Sequence, residues 1–205
     1  MSLAGVDLGQ AVVAVLAVLV ISGEYSSGMI GVTLTAMPRR TSVLAAKAAV
    51  LAGLVLAAGS IAVAGSLLAG RLILPGHGFT ASHGFAPLSL ADGPVLRAAA
   101  GTALYLVLIA LLSLGVATAV RDAATATGIV LGLLYVFPVI AAVVTAPGWH
   151  RHLDQIAPMT AGLAIQDTTS LPGAPIGPWA GLGVLAAWAA AALLAGGLLL
   201  RLRDA

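Results

Sequence analysis

The sequence predicts an all-α, polytopic membrane protein: a bundle of about five transmembrane helices with a cytoplasmic connecting helix and a long external loop. Two properties of the 205 residues support this fold class. First, 60% are hydrophobic and only 8% are charged, with a mean hydropathy of +1.11, whereas a soluble domain carries about 25% charged residues. Second, the apolar residues fall into five long stretches. The chain is therefore expected to be one transmembrane domain, and a soluble enzyme is excluded.

The five predicted spans are residues 3–22, 43–74, 96–120, 125–146 and 179–200. Each approaches or exceeds the roughly 20 apolar residues that a helix needs to cross the hydrocarbon core. The second is long enough to tilt or to project beyond the bilayer. Helices are expected because backbone groups in lipid must be hydrogen-bonded within their own segment. Polar connections separate the spans, chiefly residues 23–41, 75–95 and 147–178.

The distribution of Lys and Arg predicts the orientation of the spans. One side of the membrane would hold six basic residues: Arg39, Arg40, Lys47, Arg121, Arg201 and Arg203. The other side would hold three: Arg71, Arg97 and Arg151. Because cytoplasmic loops carry the excess of positive charge, the C-terminus is expected inside and the N-terminus outside. These charges are too few and too dispersed for nucleic-acid binding, and the absence of cysteine excludes thiol chemistry.

The connection at residues 23–41 has helical periodicity. Its apolar residues form two sets at this spacing: Tyr25, Met29 and Val32, and Ile30, Leu34 and Met37. A cytoplasmic helix with two apolar faces could contact the membrane domain on one and a partner on the other. Glu24 would lie near its N-terminus, where the helix dipole favours negative charge, and Pro38 would end it. The alternative is an ordinary amphipathic connector whose arginines only set topology.

This connection resembles the first cytoplasmic loop of ABC transporter permeases of the type-2 class. The residues that carry the resemblance are Glu24, Tyr25, Gly28, Leu34, Pro38, Arg39, Arg40, Leu44 and Lys47. Further similar positions follow along most of the chain: Leu114, Gly115, Arg121, Pro138, Trp149, Ala157, Pro158, Ala161, Gly162 and the tail from Arg201 to Asp204. The family usually has six spans, and the span before Leu8 is absent. We therefore expect either an upstream start or a five-span variant with an external N-terminus.

The resemblance implies a membrane-spanning exporter subunit in a bacterial plasma membrane, moving a hydrophobic or amphipathic substrate. In that family the first cytoplasmic loop forms a coupling helix that rests on an ATP-binding subunit. The coupling residues would be Glu24, Tyr25, Gly28, Leu34, Pro38, Arg39 and Arg40. The chain has no phosphate-binding loop of its own, so ATP would be bound by the partner and no cofactor is expected here. A second permease subunit, identical or different, would complete the pathway.

Two other functions compete with transport. The chain could be a non-transporting membrane scaffold or accessory subunit. It could also be an outward-facing metal enzyme, because His150, His152 and Asp154 alternate and would share one face of a strand. A polar interfacial loop bordered by Trp149 and Trp179 is the simpler interpretation of that sequence. No charged residue clearly lies mid-membrane, which argues against an ion-coupled carrier or an intramembrane hydrolase.

The loop at residues 147–178 is expected to be ordered. An unstructured external loop would not need the apolar run at residues 156–165. We expect this run to form a short helix that dips toward the membrane.

Overall fold

The computed structural model describes residues 5–29, 40–73, 93–143, 147–167 and 176–202. Within these ranges there are five long helices: α1 (Val6–Ser26), α2 (Arg40–Ile73), α3 (Gly93–Val120), α4 (Ala123–Val143) and α7 (Pro178–Leu202). Two short helices lie between α4 and α7: α5 (Pro147–Ile156) and α6 (Pro158–Leu163). A 3₁₀ turn at Ala164–Gln166 continues α6.

All five long helices are long and apolar enough to cross a membrane. This confirms the all-α class with five candidate spans, and gives the chain the character of a multi-pass membrane protein. The helices differ in length, because α1 and α4 have 21 residues each whereas α2 has 34. At 1.5 Å per residue, α2 is about 51 Å long and α1 about 32 Å. The predicted excess length of the second span is therefore real.

Helix α3 is the central element of the bundle, and packs against α7, α2, α1 and α4. Its closest neighbour is α7, and two glycines permit the approach. A Cβ atom at Gly115 would lie 2.5 Å from the backbone of Ala192 and Leu193, and one at Gly196 would lie 2.6 Å from the carbonyl oxygen of Gly115. Small residues let the backbones of membrane helices approach in this way.

Helices α5 and α6 form a folded segment against one end of the bundle. Proline disfavours helical geometry in the residue before it, and Ala157 is extended, with φ −65° and ψ 131°. Pro158 then occupies the first turn of α6, where its missing N–H costs nothing. The predicted helix in the run at residues 156–165 is thus present, and Ala161 and Ile165 are fully buried.

Close backbone contacts and hydrogen bonds hold this segment in place. A Cβ atom at Gly181 of α7 would collide with the carbonyl oxygen of Ala161. The indole Nε1 of Trp188 donates to the carbonyl oxygen of Ile156 over 2.9 Å. Arg97 of α3 donates to the carbonyl oxygen of Asp167. The segment is therefore attached to both central helices.

Candidate functional site

The bundle has two chemically different ends. At the end that we name the basic end, α1, α3 and α7 finish and α2 begins. At the opposite end, named the loop end, α5 and α6 pack against the bundle. Each end contains a cluster of polar side chains.

The basic end contains an ion pair between neighbouring helices. Lys47 Nζ of α2 donates to Glu24 Oε1 of α1 over 2.5 Å, and both side chains are about one-fifth exposed. The second oxygen, Glu24 Oε2, is buried and has no hydrogen-bond partner within the described residues. A carboxylate with a free lone-pair position in a half-buried site is available to an additional donor.

A cation–π contact lies beside this ion pair. The guanidinium of Arg121 is 5.4 Å from the centre of the Tyr25 ring, within the range at which such contacts are attractive. Tyr25 also packs against Val43 of α2. Glu24 and Tyr25 of α1, Lys47 of α2 and Arg121 of the turn after α3 therefore form one group, which we name the charged cluster.

The backbone at Arg121 is unusual. Its φ is +66°, in the left-handed region that ends many helices but normally holds glycine. Its N–H still donates to the carbonyl oxygen of Ala117 over 2.9 Å and closes α3. The tight turn to α4 follows, where the hydroxyl and N–H of Thr125 hydrogen-bond to the Asp122 carboxylate and lower its pKa below the usual value. Glycine would adopt this backbone conformation with less strain, yet the position holds an arginine, whose guanidinium contacts Tyr25.

The structure corrects the predicted position of Glu24. Glu24 and Tyr25 lie in the last turn of α1, whereas the sequence had placed Glu24 at the N-terminus of a following helix. A helix C-terminus disfavours a carboxylate, and the Lys47 ammonium offsets that disadvantage. Helix α1 ends at Ser26, and two residues later Gly28 has a φ of +70°, which few other residues adopt readily. Gly28 thus has a structural role as well as its place in the resemblance.

Most of the remaining predicted coupling residues lie outside the described residues. Leu34, Pro38 and Arg39 lie outside the described residues. Arg40 is the first residue of α2. The two-faced helix predicted for residues 23–41 therefore stays a prediction, because residues 23–26 continue α1 and residues 30–39 lie outside the described residues.

The loop end contains a neutral polar cluster that sequence reasoning missed. Gln10 of α1 is fully buried, and its Nε2 donates to the hydroxyl of Tyr135 over 3.2 Å and to Met159 Sδ over 3.3 Å. Tyr105, also fully buried, donates its hydroxyl to Gln10 Oε1. Tyr135 donates onward to the carbonyl oxygen of Asp7 over 2.6 Å. We name Gln10, Tyr105, Tyr135 and Met159 the glutamine cluster.

The glutamine cluster joins four elements: α1, α3, α4 and α6. Both amide hydrogens and the carbonyl oxygen of Gln10 are used, so the buried side chain is satisfied. The sequence signal for this cluster is a single amide side chain in an otherwise apolar span. Polar residues within membrane spans commonly hydrogen-bond across helices, so Gln10 could have been expected to do so. The partners themselves, 95 and 125 residues away, could not be read from local sequence.

The metal-enzyme alternative assumed a strand at residues 150–154, whereas the structure has a helix there. His150, His152 and Asp154 lie in helix α5, so the alternation that aligns every second residue on one face of a strand does not apply to them. Among the described residues, no group of three His, Asp or Glu side chains could hold a metal ion.

The chain matches no protein-family model, and neither its sequence nor its fold matches a curated protein or a solved structure. The resemblance to type-2 ABC permeases therefore remains an expectation carried by individual residues. Its functional meaning depends on how those residues are arranged in the fold.

Proposed function

We propose that this chain is the membrane-spanning permease subunit of an ATP-driven exporter of the ABC type-2 class. The observation that carries the proposal is the charged cluster. Glu24, Tyr25, Lys47 and Arg121 are all positions of the resemblance. They come from three separate stretches of the sequence and meet at one end of the bundle. If the resemblance had arisen by chance, there would be no reason for these four residues to lie next to one another in the fold.

The charged cluster provides a physical route for coupling. Residues 27–39 connect α1 to α2, so a force on this connection acts first on the end of α1. The Glu24–Lys47 pair transmits it to α2, and the Tyr25–Arg121 contact transmits it to the turn between α3 and α4. An ATP-binding subunit docked at the basic end would move three spans together through these contacts.

The free oxygen of Glu24 supports docking at this end. Glu24 Oε2 is buried with no donor among the described residues, and an unsatisfied buried carboxylate oxygen costs free energy. A donor from the connecting segment or from the ATP-binding subunit would remove that cost. ATP hydrolysis would take place on the partner, and a second permease subunit would complete a pathway for a hydrophobic or amphipathic substrate.

The test is to look for an ABC-type ATP-binding subunit in the reading frames beside this chain's own, and to reconstitute the chain with it. We expect the two proteins to co-purify, and the ATPase rate to rise when the permease is present in proteoliposomes. Glu24→Ala should abolish most of this stimulation, while Asp167→Ala at the loop end, which likewise removes a carboxylate, should preserve it. No complex, or no stimulation by the wild-type chain, would favour a scaffold or accessory role and contradict the proposal.

A charge swap separates coupling from simple stability. The double variant Glu24→Lys with Lys47→Glu restores an ion pair but reverses its polarity. If Glu24 meets a donor on the connection or partner, the swapped protein should fold to normal levels and remain uncoupled. Normal stimulation by the swapped pair would show that only the pair matters, and would contradict docking through Glu24.

A further inference from the structure

The basic end carries a groove on the outer surface of the bundle, between α2 and α7. Its volume is about 540 Å³, within the roughly 300–1,000 Å³ range of small-molecule sites. The lining residues are Thr41, Leu44, Ala45, Ala48, Leu193, Leu194, Gly197, Leu198 and Arg201. All are apolar except the two at its end, Thr41 and Arg201.

The length of the groove along the helices is close to the thickness of one leaflet of the bilayer. It extends from Thr41 to Ala48 on α2 and from Leu193 to Arg201 on α7, which is about 10–12 Å at the helical rise. Half of the hydrocarbon core is about 15 Å. A helix of a second protein would cross both leaflets and need a longer contact surface, whereas a lipid chain occupies only one.

The polar end of the groove carries a positive charge. Arg201 Nη2 donates to Thr41 Oγ1 over 3.3 Å, which leaves most of its five N–H donors available. Arg201 is exposed, and no carboxylate within the described residues forms an ion pair with it. A guanidinium at the interface matches a phosphate in geometry and charge.

We propose that this groove binds one anionic phospholipid, with an acyl chain along the α2–α7 surface and the phosphate on Arg201 and Thr41. Basic pockets between transmembrane helices bind acidic headgroups in this way. The floor suits a flexible chain, because Leu44 is buried and Gly197 has no side chain, while Leu194 and Leu198 form an exposed rim. This site does not depend on the proposed transport function.

Lipid retention by the purified full-length protein tests the site. The protein is exchanged into detergent with dioleoylphosphatidylglycerol or dioleoylphosphatidylcholine, and native mass spectrometry counts bound lipids. We expect one phosphatidylglycerol per chain and about tenfold weaker retention of phosphatidylcholine, because a charge-assisted contact is worth at least about one power of ten in affinity. Equal retention of the two lipids would overturn the proposal.

Paired variants assign the lipid to this groove. Arg201→Gln should lower phosphatidylglycerol retention about tenfold, and Arg201→Lys should retain part of it, while Arg71→Gln at the other end of α2 should have no effect. Ala45→Phe fills the groove and should displace the lipid, whereas Ala46→Phe, exposed but outside the lining, should not. Wild-type retention by both Arg201→Gln and Ala45→Phe would overturn the proposal.

A cross-linking arm distinguishes a lipid from a second copy of the chain. The protein contains no cysteine, so Ala45→Cys introduces a single thiol in the groove. Modification by a maleimide that is slowed by phosphatidylglycerol, and not by free glycerol phosphate, supports the lipid. Efficient disulfide-linked dimers through Cys at this position in native membranes would overturn it.

Discussion

Both polar clusters contain tyrosine, but the tyrosines have different surroundings in the two. All three tyrosines of the chain take part: Tyr105 and Tyr135 in the glutamine cluster, and Tyr25 in the charged cluster. The glutamine cluster is neutral, and its central residues Gln10 and Tyr105 are buried and hydrogen-bonded to each other. The charged cluster is partly exposed, and Glu24 Oε2 has no donor among the described residues. The first arrangement favours one fixed packing, and the second leaves capacity for a partner. The loop end should therefore respond to substitution with lost stability, and the basic end with lost function.

The largest expected effect is at the loop end, from Gly181→Ala. The new Cβ would collide with the carbonyl oxygen of Ala161, and a backbone atom in a packed segment cannot turn aside as a side chain can. We expect a loss of about 3 kcal/mol in the free energy of unfolding, at the upper end for overpacking. Gly183→Ala, two residues along the same helix with nothing within 4 Å, is the matched control and should be neutral or slightly stabilising. Both are measured by unfolding in mixed detergent micelles.

If Gly181→Ala is as stable as Gly183→Ala, α6 does not pack closely on α7. That result would remove the contrast between the two ends.

The next effect is expected from Gln10→Leu. The leucine leaves the hydroxyl of buried Tyr105 without its acceptor, at a cost of about 1–3 kcal/mol. A double-mutant cycle with Tyr105→Phe should give a smaller coupling energy, about 0.6 kcal/mol, as for hydrogen bonds between other membrane helices. Hydrogen exchange in residues 158–166 should rise in Gln10→Leu, because Gln10 also bonds Met159. Unchanged exchange there would mean that the glutamine cluster does not hold α6.

The smallest effect is expected from Asp122, at the turn before α4. Its carboxylate accepts hydrogen bonds from the hydroxyl and N–H of Thr125, so its pKa is lowered in the folded protein. The stabilisation is complete above the ordinary aspartate pKa and is lost as the pH falls through the lowered value. Asp122→Ala should therefore lower the unfolding temperature slightly near neutral pH, with a difference from wild type that vanishes in acid. Asp122→Asn retains a capping acceptor and should show a smaller, pH-independent change.

An acid-insensitive difference between Asp122→Ala and the wild type would contradict this assignment. It would point to a loss of packing, with no contribution from the carboxylate charge.

The fold could be predicted where run length alone decides the structure. Five apolar stretches of sufficient length gave five helices, and the apolar run at residues 156–165 indicated a packed helix that the structure contains. The end of α1 could not be predicted in this way. Glu24 and Tyr25 resemble the start of a polar connection, yet they continue the helix and contact Lys47 and Arg121 there.

The candidate sites differ in the same respect. The resemblance pointed to Glu24, Tyr25, Lys47 and Arg121 one position at a time, but their grouping is a property of the tertiary structure. Gln10 drew no attention because one amide hardly changes the hydropathy of a span. Its partners Tyr105 and Tyr135 lie on other helices, so only the packed bundle reveals the network.

The unequal lengths of the helices make the protein responsive to bilayer thickness. Helices α1 and α4, at about 32 Å, match a hydrocarbon core of about 30 Å with little tilt, whereas α2, at about 51 Å, must incline steeply or emerge. The Glu24–Lys47 pair holds α2 at the basic end, so most of the mismatch falls toward Ile73. A bilayer thickened by sterol or by longer acyl chains would allow α2 to tilt less. Helices α1 and α4 would then be shorter than the hydrocarbon core. Hydrophobic mismatch would thus act on the angle between α2 and its neighbours, and the composition of the host membrane becomes a mechanical variable for this fold.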